Sequence, residues 1–139
     1  MNKKLIIYTD GGARGNPGPA AIGVVIFDES GKILKKFGEY IGKTTNNQAE
    51  YTALITALSK ASKLGVSEVR CFLDSELVVK QLSGQYRVKE SGLRDRVGEV
   101  LRLSNQFKSI SFKHVKREEN RLADRLVNEV LDKKENSKD

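Results

Sequence analysis

Apolar and polar positions alternate along the chain in two distinct periods, and the changes of period mark its elements. Residues 4–9 (KLIIYT) and 20–28 (AAIGVVIFD) are nearly continuous apolar runs, as expected of buried strands. Residues 32–40 (KILKKFGEY) alternate with polar positions, as on a half-exposed strand, and the short Glu29-Ser30-Gly31 link suggests a hairpin. From Thr45 the period lengthens: Ala49, Ala53, Leu54, Ala57, Leu58 and Ala61 recur at helical spacing up to a stop at Gly65. Thr45 and Gln48 fit a capping box at its start. A buried strand follows at 69–74 (VRCFLD), then a short helix at 76–82, a longer one at 91–106, a strand at 109–115 and a final helix at 118–131.

The order βββαβααβα predicts an α/β sandwich in which a hairpin-built antiparallel part joins parallel strands. One domain is expected over residues 1–132, with a flexible charged tail at 133–139. No internal repeat or linker interrupts it.

Composition narrows the class. A chain of 139 residues has enough core for one domain. No apolar run approaches the length of a membrane span, and the N-terminus lacks the apolar stretch and cleavage site of a signal peptide. Cys71 is the only cysteine, so no internal disulfide can form. A cytoplasmic, monomeric protein without membrane contact is expected. The formal net charge of +7 favours a polyanionic partner such as nucleic acid.

Four carboxylates stand out by position. Asp10 and Asp74 each end a strand, Glu50 sits on the apolar face of the first long helix, and Asp124 falls early in the last helix. In open α/β sheets, ligands bind beyond the carboxyl ends of strands, where these four would meet. Each also has a local reading: an Asx turn for Asp10, a helix cap for Asp74, a favourable helix dipole for Asp124, a half-exposed side chain for Glu50. Behind Asp10, the stretch GGARGNPGP carries Gly11, Gly12, Gly15 and Gly18 and both prolines. It reads as a pliable loop whose backbone approaches a ligand closely.

In the blocks YTDGGARGNPGPAAIGVVI, TTNNQAEYTALITAL, FLDSELVVKQLSGQY and HVKREENRLADRLVNEVL, the chain resembles type 1 ribonuclease H in its compact archaeal and bacterial form. The resemblance runs from about Leu5 to about Leu131. It implies a ribonuclease H-like fold with a five-stranded mixed sheet, the first three strands antiparallel and the others parallel. It further implies that Asp10, Glu50, Asp74 and Asp124 are the catalytic, metal-binding residues of an endoribonuclease that cuts the RNA strand of RNA/DNA hybrids, leaving 5′-phosphate and 3′-hydroxyl ends. Two Mg2+ ions, with Mn2+ as an alternative, suit such oxygen ligands and such chemistry.

By the same resemblance, Gly11, Gly12, Ala13, Arg14 and Asn16 belong to a surface facing the RNA strand. Thr45 and Asn47 belong to a pocket for a DNA-strand phosphate, and Asn46 and Gln48 to groove contacts. Glu50 and Ser75 stand where the 2′-hydroxyl is read. Tyr86, Arg87 and Lys89, with Arg94, are expected along the DNA backbone.

Two departures matter. The run from Leu82 to Leu93 is too short for the basic protrusion of many bacterial relatives. The loop before Asp124, KREEN, has no histidine, so Arg117 or Glu118 is the accessory candidate there. His114, the only histidine, falls within the preceding strand and is expected to be structural. Cleavage of double-stranded RNA and a silent hybrid-binding module are the alternatives.

Overall fold

A computed structural model describes residues 3–137 of the chain. Three strands come first: β1 (Lys4–Ala13), β2 (Gly18–Asp28) and β3 (Ile33–Thr44). Helix α1 (Asn46–Ser62), strand β4 (Glu68–Leu73), helices α2 (Glu76–Leu82) and α3 (Ser91–Ser104), strand β5 (Ser109–His114) and helix α4 (Arg121–Asn136) complete the order. The sheet runs β3-β2-β1-β4-β5. β2 pairs antiparallel with β1 and with β3, whereas β4 is parallel to β1 and to β5. This is the ribonuclease H-like arrangement expected from the sequence, and β1 is its central strand.

Successive residues of β1 face opposite layers, as the strand period of two requires. The larger core gathers Ile7, Val24, Ile26, Tyr51, Leu54, Leu58, Val69, Leu73, Val78 and Val100 around α1 and α3. A smaller cluster of Ala21, Val127 and Leu131 lies under α4. Both helices sit close to the sheet because glycines give way beneath them. A Cβ on Gly11 would run into the carbonyl of Ala49 in α1, and one on Gly23 into the carbonyl of Ala123 in α4. Tyr51 of α1 also donates its hydroxyl to Gln81 Oε1 of α2 at 2.6 Å, a buried link between the two helices.

The structure departs from the sequence reading in four places. First, β1 does not end at Asp10. Gly11 and Gly12 pair with Ile22 and Ala21 of β2, so the loop shrinks to four residues, 14–17. Second, Thr45 Oγ1 accepts from Gln48 N at 3.2 Å, but the Gln48 side chain turns to Arg96 Nε at 3.1 Å instead of closing a capping box. Third, the final helix is broken: residues 117–119 form a separate 3-10 turn, and α4 starts after buried Asn120. Fourth, α4 continues through Asn136 where a flexible tail was expected from 133. Arg14 bridges to Asp132 at 2.7 Å and Glu135 at 2.9 Å and holds those last turns against the β1–β2 loop. Lys138 and Asp139, the rest of that tail, lie outside the described residues. No helix among the described residues is long and apolar enough to cross a membrane.

Candidate active site

The central strands deliver two of the carboxylates. β1 and β4 pair in parallel up to Thr9 and Leu73, so the next residues, Asp10 and Asp74, emerge side by side at the edge where the ladder stops. Glu50 arrives from the first turns of α1, and the close approach over Gly11 lets its Oε1 accept from Gly11 N at 2.8 Å. Carboxylate oxygens of Asp10, Glu50 and Asp74 lie within 4.8 Å of one another. Asp10 and Glu50 are 7% and 8% exposed, so two like charges are almost wholly removed from water. Asp124, on the first turn of α4, lines the same cleft of about 500 Å³ but stands outside this tight group of three.

The electrostatics are those of an unbalanced site. Burial, followed by the neighbouring Asp74 and Asp124, pushes the Asp10 carboxyl up to about 8. Burial, followed by Asp10 and Asp74, holds Glu50 well above the carboxylate range, with the Gly11 amide and Arg117 pulling weakly the other way. Asp74 is raised as well, chiefly by burial, and the Asn120 carboxamide and Arg117 offset part of that. Among the described residues, none of the four carboxylates forms an ion pair with Lys or Arg. Buried charges are normally paired or bound to metal. Three oxygen donors converging without a protein cation fit a divalent hard ion.

The surrounding residues divide into those that face the cleft and those that do not. Gly11, Gly12, Ala13, Arg14, Asn46, Asn47 and Arg117 line it. The backbone amides, however, are mostly committed internally. Gly11 N binds Glu50, Ala13 N donates to Asn46 Oδ1 at 2.8 Å, and Arg14 N donates to Pro19 O at 2.9 Å. Asn16 Oδ1 accepts from Asn46 N at 2.9 Å. The glycine-rich segment is therefore knitted to α1, and Gly11 serves close internal approach to that helix, whereas Gly12 has ordinary room and lines the cleft. Arg14 is likewise occupied, by Asp132 and Glu135 and by Asn128 Oδ1 at 3.3 Å.

Ser75 caps α2, its Oγ accepting from Val78 N at 3.2 Å. Tyr86, Arg87 and Lys89 line a second recess with Gln81, Gln85 and Leu93, and Asn47 borders both this recess and the acidic cleft. Arg94 is exposed but engaged with its own loop, donating to Val88 O at 2.8 Å and steadying the α2–α3 connection. Of the accessory candidates, Arg117 faces the carboxylates, whereas Glu118 lines a different recess beside Tyr8 and Phe27. His114 is exposed at the end of β5. The residue missed by sequence reasoning is Asn120, 1% exposed within KREEN, whose Nδ2 donates to Thr9 O at 2.9 Å.

Residues 8–130 match the family described as reverse transcriptase-like. The chain is 45% identical over 125 residues to ribonuclease HI of Halobacterium salinarum, covering 90% of this chain and 63% of that one. It is 42% identical over 130 residues to a bifunctional protein of Mycobacterium tuberculosis, covering 93% of this chain and 36% of that one. It thus spans about a third of the mycobacterial relative's length and under two thirds of the haloarchaeal one's. Among solved structures, RNase H1 of H. salinarum superposes with a TM-score of 0.91 at 43% identity, covering 94% of this chain and 98% of that one. LC11-RNase H1 in complex with an RNA/DNA hybrid superposes with a TM-score of 0.87 at 49% identity, covering 93% and 97%.

Proposed function

The chain belongs to the type 1 ribonuclease H family, and from that premise we propose that it is an endoribonuclease hydrolysing the RNA strand of RNA/DNA hybrids, leaving 5′-phosphate and 3′-hydroxyl ends. One observation carries the reading: Asp10, Glu50 and Asp74 converge at the ends of the central strands, the first two buried and the third half-buried, without a protein cation, on a polar cleft that Asp124 also lines.

Asp10, Glu50, Asp74 and Asp124 would hold two Mg2+ ions, with Mn2+ as an alternative, and these would supply a nucleophilic water and stabilise the leaving oxygen. The rest of the work falls to the chain. Asp10 follows the last residue of β1 that is paired on both sides and is itself paired with Gly23 of β2, so its backbone is fixed, and its carboxylate would meet the scissile phosphate. Glu50 keeps one oxygen on Gly11 N, which fixes the carboxylate and leaves its other oxygen for metal or for a 2′-hydroxyl of the RNA strand. Arg117 is the cation nearest the cluster's function. It offsets some of the negative charge of Glu50 and Asp74 without an ion pair, and it is placed to attract a phosphate into the cleft.

Recognition of the duplex is expected across two adjoining surfaces. Asn46 and Asn47 at the start of α1, with Thr45 and Gln48 beside them, sit where a phosphate meets a helix N-terminus. The recess of Tyr86, Arg87 and Lys89 continues from Asn47 and offers two cations to the other strand. RNA is separated from DNA by its 2′-hydroxyl, which Glu50 would accept from, while Ser75, whose oxygen caps α2 as an acceptor, keeps its O–H to donate to a neighbouring sugar.

The test is direct. Purified protein is incubated with labelled RNA/DNA hybrid, double-stranded RNA or double-stranded DNA, with Mg2+ or with EDTA, and the product ends are mapped. Mg2+-dependent cutting of the RNA strand of the hybrid is the expected result. Binding without cutting in Mg2+ would leave only a hybrid-binding module, and equal cutting of double-stranded RNA would widen the substrate class.

A further inference from the structure

The β1–β4 ladder ends at the pair Thr9 and Leu73, and the two carbonyls of that last rung find their donors elsewhere. Leu73 O accepts from Val115 N at 2.9 Å, and Thr9 O accepts from Asn120 Nδ2 at 2.9 Å. Both donors come from one segment, residues 115–120, which laces across the strand ends between β5 and α4. Asn120 closes that lacing with its backbone too. Its N–H donates to Arg117 O at 2.9 Å, and its carbonyl accepts from Asp124 N at 3.1 Å. One residue is thus bonded to the neighbour of Asp10, to Arg117 and to Asp124.

The burial of this side chain is not fully compensated. Asn120 is 1% exposed, and its Oδ1 has no hydrogen-bond donor among the described residues. Burying an acceptor without a donor is unfavourable, and an apolar side chain of similar size would avoid it. What such a side chain could not do is hold Thr9 O. The arrangement therefore favours the Nδ2 bond at the expense of an orphaned oxygen. Groups that orient metal-binding carboxylates behave in this way, acting on affinity and rate without touching the ion.

We propose that Asn120 is a positioning residue for the cleavage reaction: its bond to Thr9 and its place between Arg117 and Asp124 set the spacing of the carboxylates that receive the metal. This rests on the nuclease reading given above. Two variants test it, Asn120→Leu, which fills the space without the donor, and Asn120→Ala. Val100→Ala, on the core face of α3, serves as a destabilised control outside the site.

For each protein, kcat, KM for the hybrid, the Mg2+ concentration giving half-maximal rate, and the rise in melting temperature on adding Mg2+ are measured. The expected result is a kcat lower by about 10–100-fold, with a higher Mg2+ requirement and a smaller Mg2+-induced rise in melting temperature, for both Asn120 variants. KM for the hybrid should stay near its original value, and Val100→Ala should change melting alone. If the unaltered protein neither cuts hybrid nor is stabilised by Mg2+, the nuclease reading itself fails. If it does both, and Asn120→Leu matches it in kcat and Mg2+ requirement, Asn120 only holds the fold and the inference is overturned.

Discussion

Asp10 and Asp28 lie on neighbouring strands at opposite ends of the sheet, yet the chain treats them in opposite ways. Asp28 ends β2 at the hairpin, where its Oδ1 accepts from Ser30 N at 2.9 Å, Ser30 Oγ at 2.6 Å and Lys32 N at 3.0 Å. Those local donors hold its carboxyl below the ordinary range, with the Ser30 hydroxyl contributing most. Asp10 has burial and two acidic neighbours instead, and rises to about 8. One aspartate is satisfied by residues two and four positions away and shapes a turn. The other is left unsatisfied by the chain, which is what a site awaiting a cation requires.

The contrast is broken most sharply by substitution. Asp10→Asn should lower hybrid cleavage by orders of magnitude while hybrid binding, read by fluorescence anisotropy, persists. Asp28→Asn should leave the cleavage rate unchanged. A cleavage defect in the Asp28 variant, or its absence in the Asp10 variant, would dissolve the distinction.

A second test uses pH. Because the folded-state carboxyl of Asp10 is raised from 3.8 to about 8, the folded protein retains a proton that the unfolded chain has released across that interval. The stability contributed is full below about 4 and lost as pH rises through about 8. Metal-free protein should therefore melt several degrees lower at pH 9 than at pH 5 on account of this cluster, and Asp10→Asn should flatten that slope. The lowered carboxyl of Asp28 has the opposite sign, its contribution fading as pH falls toward the acid range. Scanning calorimetry in EDTA across pH 3–9 separates the two.

Smaller effects belong to the basic residues. Arg87→Ala with Lys89→Ala should weaken hybrid binding with little regard to base sequence and reduce the salt slope by about 0.9 for each duplex phosphate that is no longer neutralised. Arg94 is left out because it binds loop carbonyls. Arg14→Ala should cost about 1 kcal/mol or less, since its ion pairs are partly exposed, and should speed amide exchange in the last two turns of α4. Unchanged exchange there would mean that the clasp does not hold the helix end.

Much of this was legible in the sequence, for a physical reason. Strand and helix periods arise from local burial, so the element order and the hairpin at Glu29-Ser30-Gly31 could be read directly. The carboxylates could be singled out because a charged residue following an apolar run or on an apolar helix face is conspicuous, whereas their shared role came from the family resemblance. Contacts that span the chain were not. Arg14 meets residues 114 to 121 positions away, and Asn120 meets Thr9 at a separation of 111, distances across which no periodicity speaks. Gly23 and Gly38 did carry a usable signal, because glycine inside an otherwise good strand marks a close approach, here of α4.

The most direct measurement is the melting temperature of the unaltered protein and of Asp10→Asn at pH 8, each in EDTA and in Mg2+. A cluster of buried, mutually repelling carboxylates that accepts a cation predicts that Asp10→Asn melts higher than the unaltered protein in EDTA, and that Mg2+ raises the unaltered protein by more than the variant. A variant that melts lower in EDTA, with Mg2+ shifting both proteins equally, would contradict it.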